Sequence, residues 1–398
     1  MIRRRLPALA VAAWAIAVAA LAVLGVEVAH YLGSRTGSDT GAMGGMAGMG
    51  PARAFTRAGG GAPTRPLLGA PLVTAWQLDA VAVAVIVLAA ALYLTGVALV
   101  PVRSAGQRWP VIRTVSFLLG LAVCAYATNG GIAVYDQVLF SAHMLGHLAL
   151  VMVAPALLMA GWPLRLALAA APPACRTRLT RVFTGRVVSL LTAPPVALAT
   201  YTAVIVGSHL TGLMNVIMRN TWAGQVEHLV YLLAGCQFFA LIVGGEALRW
   251  RLGSPARWLL LAIAMAVDTF TGIVLMQGRS AVRLAPSSLA VSPLSDTHTG
   301  GAIMWFGGDA IMLVIMVALV VSYLRSVDAE QAETGWLAQA RVATFAEHVR
   351  ANPKATADDG PDGPDRAGRP AEPQTDLDSD DAAREAYNRW LEKLASGR

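Results

Sequence analysis

Charge is scarce in this chain: charged residues fill 14% of its 398 positions and hydrophobic ones 56%, against roughly 25% charged in a soluble domain. That excludes a water-soluble globule. Cysteine is nearly absent as well. Cys124, Cys175 and Cys236 are an odd number without CxxC or CxxxC spacing, so neither a disulfide framework nor a thiolate metal-chaperone motif is present. No Walker or GxGxxG loop follows a strand, and there is no HExxH and no Ser-His-Asp constellation, which removes the usual soluble-enzyme signatures. The net charge of +7 comes without an aromatic stacking platform, so no nucleic-acid partner is expected.

Long apolar runs are what the chain has instead. A spanning helix needs about 20 apolar residues, and eight segments qualify: Leu6–Val26, Leu78–Val100, Ile112–Ala127, Val138–Ala160, Val187–Gly207, Val226–Gly244, Trp258–Met276 and Gly301–Leu324. The reading is an all-α, polytopic transmembrane helix bundle, a seven-helix core plus one N-terminal span, with the lipid bilayer as its solvent. Arg3, Arg4 and Arg5 precede the first run, which is too long for a signal core and reads as a retained anchor. With the N-terminus inside, fourteen arginines flank the spans on the cytoplasmic side and seven on the other, so the positive-inside rule puts both the N-terminus and the C-terminal tail in the cytoplasm. Four segments follow: an anchor at 1–33, a flexible Gly/Met-rich external loop at 34–77, the seven-helix domain at 78–325, and a tail at 326–398. The tail has helix-forming composition first and a disordered acidic stretch after it.

Four histidines lie in or beside the ends of these runs: His143, His147, His209 and His228. Threaded through a bilayer they reach one face, the external one. Ionisable residues in hydrocarbon are rare and mark function by default. His143 and His147 stand four residues apart, on one helical stripe, a spacing at which one helix offers two ligands to one metal. Asp136 and Glu227 lie nearby as acceptors that would fix the imidazole tautomers. Met144, Met214 and Met218 are close in sequence and could add thioethers, though core packing is the commoner role of such a methionine; the external loop adds Met43, Met46 and Met49 in "AMGGMAGMG", with His30 before it. Imidazole and thioether ligands suit copper, Cu(I) above all. A haem joining one of these histidines to one on another helix is less favoured but stays open. Two carboxylates, Asp268 and Asp309, fall deep in the seventh and eighth spans, where such groups pair, stay protonated or serve a cation path.

The run "YDQVLFSAHMLGHLALVMVAPALLMAGWPLRLAL" resembles the central signature of CtaG-like cytochrome c oxidase assembly factors, in which an HMxxH pair opens a helix that continues into a Pro-containing apolar stretch and a G-x-P turn. Similarity extends to "SHLTGLMN", "EHLVYLLAGCQFFALIVGGE" and "GGAIMWFGGDAIMLVIM", covering 78–325. The resemblance implies a non-enzymatic, seven-helix protein of the bacterial cell (inner) membrane that assists copper insertion. The family's histidine pair would fall on His143 and His147 and its later histidines on His209 and His228. Oxidase subunits, or another copper-receiving protein, are the implied partners. A copper transporter using the helix bundle is the alternative.

Overall fold

The computed structural model describes residues 70–327 except 104–107, 137, 212, 215–220, 283–288 and 290. The expected anchor, the Met-rich loop with His30, and most of the tail lie outside the described residues. Contacts divide the chain into Met1–Leu319 and Val320–Arg398; of the second unit only the end of the last helix is described.

No strand occurs among the described residues, as expected where a lipid solvent offers no partner for backbone N–H and C=O groups. Six helical stretches are long and apolar enough to cross a membrane: Ala80–Arg103, Val111–Asp136, Phe140–Ala170, Ala223–Val243, Ser254–Met276 and Pro293–Val327. We label the component helices α1 (Ala80–Arg103), α2 (Val111–Asn129), α3 (Gly131–Asp136), α4 (Phe140–Leu148), α5 (Ala154–Ala160), α6 (Pro163–Ala170), α7 (Pro194–His209), α8 (Thr221–Val243), α9 (Ser254–Met276) and α10 (Pro293–Ala302). α10 runs through a π-helical turn, Ile303–Gly307, into the last span.

The spans expected at 112–127 and 138–160 run on to Asp136 and Ala170, and two others start well away from their expected bounds. The apolar run at 187–207 breaks at Thr192 and Ala193, and helix restarts at Pro194, because the Pro194–Pro195 pair disfavours α geometry in the residue before it and fits only a first turn. The last span begins at Pro293 rather than Gly301, since the polar stretch "PLSDTHTG" starts on a proline and carries its own partners. Proline at the first turn also opens α6 and α9.

The stretch Phe140–Ala170 is the most enclosed of the spans. It packs against α2, α8 and α10, and Phe140, Met144, Val151, Met152 and Ala154 are fully buried. Its course is bent by a π-helical turn, Ala149–Val153. Pro155 follows, and because proline lacks an N–H it cannot donate to the carbonyl four residues back, that of Val151. Gly235 of α8 seats against this carbonyl: a Cβ added there would lie 2.3 Å from Val151 O and 2.5 Å from Pro155 Cγ. Small residues bring α9 and α10 together likewise, Gly272 against Gly301, the packing mode of helices that lack a hydrophobic drive to associate.

At the end of the bundle away from the histidines, Trp162 joins α5 to α6 in the left-handed region, φ 54°. Its indole N–H donates to Gly244 O at 3.0 Å, and the guanidinium carbon of Arg113 lies 3.5 Å from its ring centroid, a cation–π contact. Gly245, at φ +83°, is required here, because a Cβ would meet the indole at 2.4 Å. Glu246 accepts the Arg165 N–H at 3.2 Å. Burial pushes its carboxyl up to about 7 from an ordinary 4.5, only partly offset by the amides of Arg165, Leu164 and Ala247 and the Arg165 charge. A folded-state value above the unfolded one means that stability is greatest below about 4.5 and is lost as pH rises through about 7. Glu246→Gln should abolish this slope and, above pH 7, stabilise the protein by on the order of 3 kcal/mol. Thermal unfolding in detergent across that range checks it, and parallel pH profiles for the two proteins would refute it.

Candidate metal site

α3 ends at Asp136 and α4 starts at Phe140, so the carboxylate and His143, seven residues on, meet across a tight turn. Asp136 Oδ1 lies 2.7 Å from His143 Nδ1. His143 and His147 are 3% and 2% exposed. α8 brings Glu227, whose Oε1 is 3.7 Å from His143 Nε2, and the less buried His228, whose Nε2 is 4.0 Å from Asp136 Oδ2. His209 closes α7. Its ring folds back on its own helix, with Nδ1 2.8 Å from Ile205 O and 2.8 Å from Ser208 Oγ. The four imidazoles named from the sequence thus meet in one cluster. His147 packs edge-on against His209 at 4.6 Å between centroids, and His143 lies 6.1 Å from His209.

The hydrogen bonds set the tautomers. A carbonyl oxygen only accepts, so His209 carries its proton on Nδ1 and turns the Nε2 lone pair into the cluster. His143, with Nδ1 against a carboxylate, takes the same form, in the carboxylate–imidazole arrangement found behind metal-bound histidines. His209 Nε2, His228 Nδ1 and both ring nitrogens of His147 are buried without a hydrogen-bond partner. Leaving such groups unmatched costs about 1–3 kcal/mol each, so the arrangement is one that a ligand would relieve. Among the described residues no three His, Cys, Asp or Glu side chains stand close enough to hold one ion together.

Met144 packs beside Phe140 against Gly300 of α10, Met214 is buried, and Met218, His30, Met43, Met46 and Met49 lie outside the described residues. Asp268 and Asp309 sit apart, hydrogen-bonded to Tyr201 and Thr269. Cys124, Cys175 and Cys236 are unbridged.

Two groups were missed. Tyr231 donates its hydroxyl to Glu227 at 2.5 Å and lays its ring edge-on against His147, 4.3 Å between centroids; its place four residues after Glu227 was the available signal. Asp296 of α10 is buried and accepts the Phe140 N–H at 2.6 Å and the Ser141 hydroxyl at 2.5 Å. It caps the histidine helix from another span, since Leu139 at its N-terminus offers no side-chain acceptor.

Residues 91–326 match the family described as cytochrome c oxidase caa3 assembly factor, Caa3_CtaG. The chain belongs to this family. All four histidines fall within the matched residues. Among curated proteins, uncharacterized proteins of Mycobacterium bovis and Mycobacterium tuberculosis are each 31% identical to it over 268 residues, 64% of this chain. One of Mycobacterium leprae is 31% identical over 63% of the chain. The aligned region spans about 40% of the length of these relatives. No solved structure matches the chain.

Proposed function

We propose that this Caa3_CtaG protein binds copper in the histidine cluster and hands it to cytochrome c oxidase during assembly. The observation that carries the reading is His147, buried with neither ring nitrogen partnered, between His209, which presents a lone pair, and Tyr231. Neutral imidazoles suit Cu(I), and Asp136 and Glu227, within 4.0 Å of the histidine rings, supply negative charge that favours a cation. The cluster lies at the end assigned to the external face by the arginine count, and the Met-rich loop at 34–77 would capture the ion first. A haem fits less well, because the His147 and His209 rings, 4.6 Å apart, leave no gap for a porphyrin between them.

The test is a gene deletion in the native bacterium. Oxidase activity should fall severalfold while total cell copper stays constant, and added copper should restore much of the activity. A fall in cell copper would replace this reading with transport. Reporter fusions after Gly61 and Gly224 should report outside and those after Arg108 and Arg178 inside; the reverse pattern would make delivery to an external copper centre untenable.

A further inference from the structure

The copper reading uses none of the polar groups buried deeper in the bundle. Asp268 lies on α9, eight residues before its end at Met276, hence about 12 Å from that end at 1.5 Å per residue. It is 0% exposed. One oxygen, Oδ2, accepts the Tyr201 hydroxyl of α7 at 3.1 Å, and the other, Oδ1, has no hydrogen-bond partner. Phe238 of α8 stacks on Tyr201, and Leu261 and Ala264 of α9 and Met304 of the last span belong to the same core. A bare carboxylate with a single donor in such surroundings is costly, so the unmatched oxygen calls for a positive partner.

The donor set decides which. A hard metal ion takes about six or more oxygens, and Oδ1 has no such shell. Copper prefers nitrogen and sulfur, whereas the hydrogen-bond partner of this carboxylate is a phenol oxygen. A proton needs one oxygen only. Beside this group, Thr269 donates its hydroxyl to both oxygens of Asp309 at 3.0 Å. Gly308, next to Asp309, faces Asp268: a Cβ at Gly308 would sit 3.7 Å from Asp268 Cβ, in ordinary contact. Asp268 is enclosed, whereas Asp309 is half-buried, so the two carboxyls form an inner and an outer position.

We propose that Asp268 and Asp309 form a membrane-embedded proton site, with the proton held on Asp268 Oδ1 and exchanged through Asp309. The two carboxyls share no hydrogen bond at rest, so in the exchange a side-chain rotation first brings them together; the O–H bond at Asp268 then breaks and the proton joins an Asp309 carboxylate oxygen. The pair keeps one proton and one negative charge during this step; release from Asp309 to water leaves both carboxylates charged until a proton returns. The Tyr201 hydroxyl steadies the charge when it is on Asp268, and the Thr269 hydroxyl when it is on Asp309. Asp309 then passes its proton to water, and Asp268 is reloaded by the reverse path. The site stands independently of copper binding.

Infrared spectroscopy of the full chain in nanodiscs tests it. In a Glu246→Gln background, which removes the other carboxyl protonated near neutrality, a carboxylic-acid C=O band should be present at neutral pH, shift in D2O, vanish in Asp268→Asn and survive in Asp309→Asn, where its deuterium exchange should be at least tenfold slower. Should Asp268→Asn fail to fold, Tyr201→Phe makes the assignment, moving the same band to higher frequency by removing its hydrogen bond. Absence of any such band, a band insensitive to both Asp268→Asn and Tyr201→Phe, or its loss on adding Na+ or Cu(I) at fixed pH overturns the proton site. An unchanged exchange rate in Asp309→Asn overturns the route.

Discussion

Replacing His143 and His147 together by alanine should weaken the proposed Cu(I) binding of the purified protein by a hundredfold or more in a competition titration with a Cu(I) chelator. Each imidazole ligand holds a soft ion through one lone pair, and the two lost here are the pair that α4 presents on one stripe. The single change His147→Leu separates function from folding. In the metal-free protein both nitrogens of His147 are buried without hydrogen bonds, and replacing an unsatisfied polar group by an apolar one of similar size is neutral or stabilising. His147→Leu should therefore lose copper and yet raise the thermal stability of the apo form by about 1–2 kcal/mol, the pattern of a site whose function costs stability. Wild-type copper affinity in the double variant would sink the copper reading. A destabilised His147→Leu apo protein would show instead that the ring is a satisfied core residue.

Gly235→Ala should lower the yield of folded protein severalfold. The added methyl would stand 2.3 Å from a backbone oxygen and 2.5 Å from a proline ring, neither of which can rotate away, and overpacking of this kind costs about 1–3 kcal/mol or more. Relief would require α8 to back off the π-helical turn, carrying Glu227, His228 and Tyr231 with it, so copper affinity should fall in the protein that does fold. Gly224→Ala on the same helix is the control: nothing lies within 4 Å of its added Cβ, and it should match the wild type. Equal yields for the two variants, measured by size-exclusion chromatography in detergent, would refute the close packing at Gly235.

Much of the histidine cluster was legible because its signals are local. A four-residue interval fixes His143 and His147 on one stripe whatever surrounds them, and the alternation of apolar runs carries His209 and His228 to the same end. The "GWPLR" turn was legible too, but its locking by Gly245 and Arg113 was not, since these come from other helices. Met144 shows the limit most directly. Its place beside His143 left both core packing and a thioether ligand open; one residue turns a helix by about 100°, and that rotation sets it beside Gly300.

The sequence by itself determined the all-α membrane class, the family and the end of the bundle where the imidazoles gather, because hydropathy and helical period act over a few residues at a time. Only the tertiary structure decided which ring nitrogens are left without partners, that Tyr231 wedges against His147, and that Asp296 caps α4 from 156 residues away. Those depend on which faces of different helices meet. In lipid that choice is made by close packing of small residues such as Gly235, Gly272 and Gly301 and by matching of buried polar groups, neither of which leaves a periodic trace in the chain.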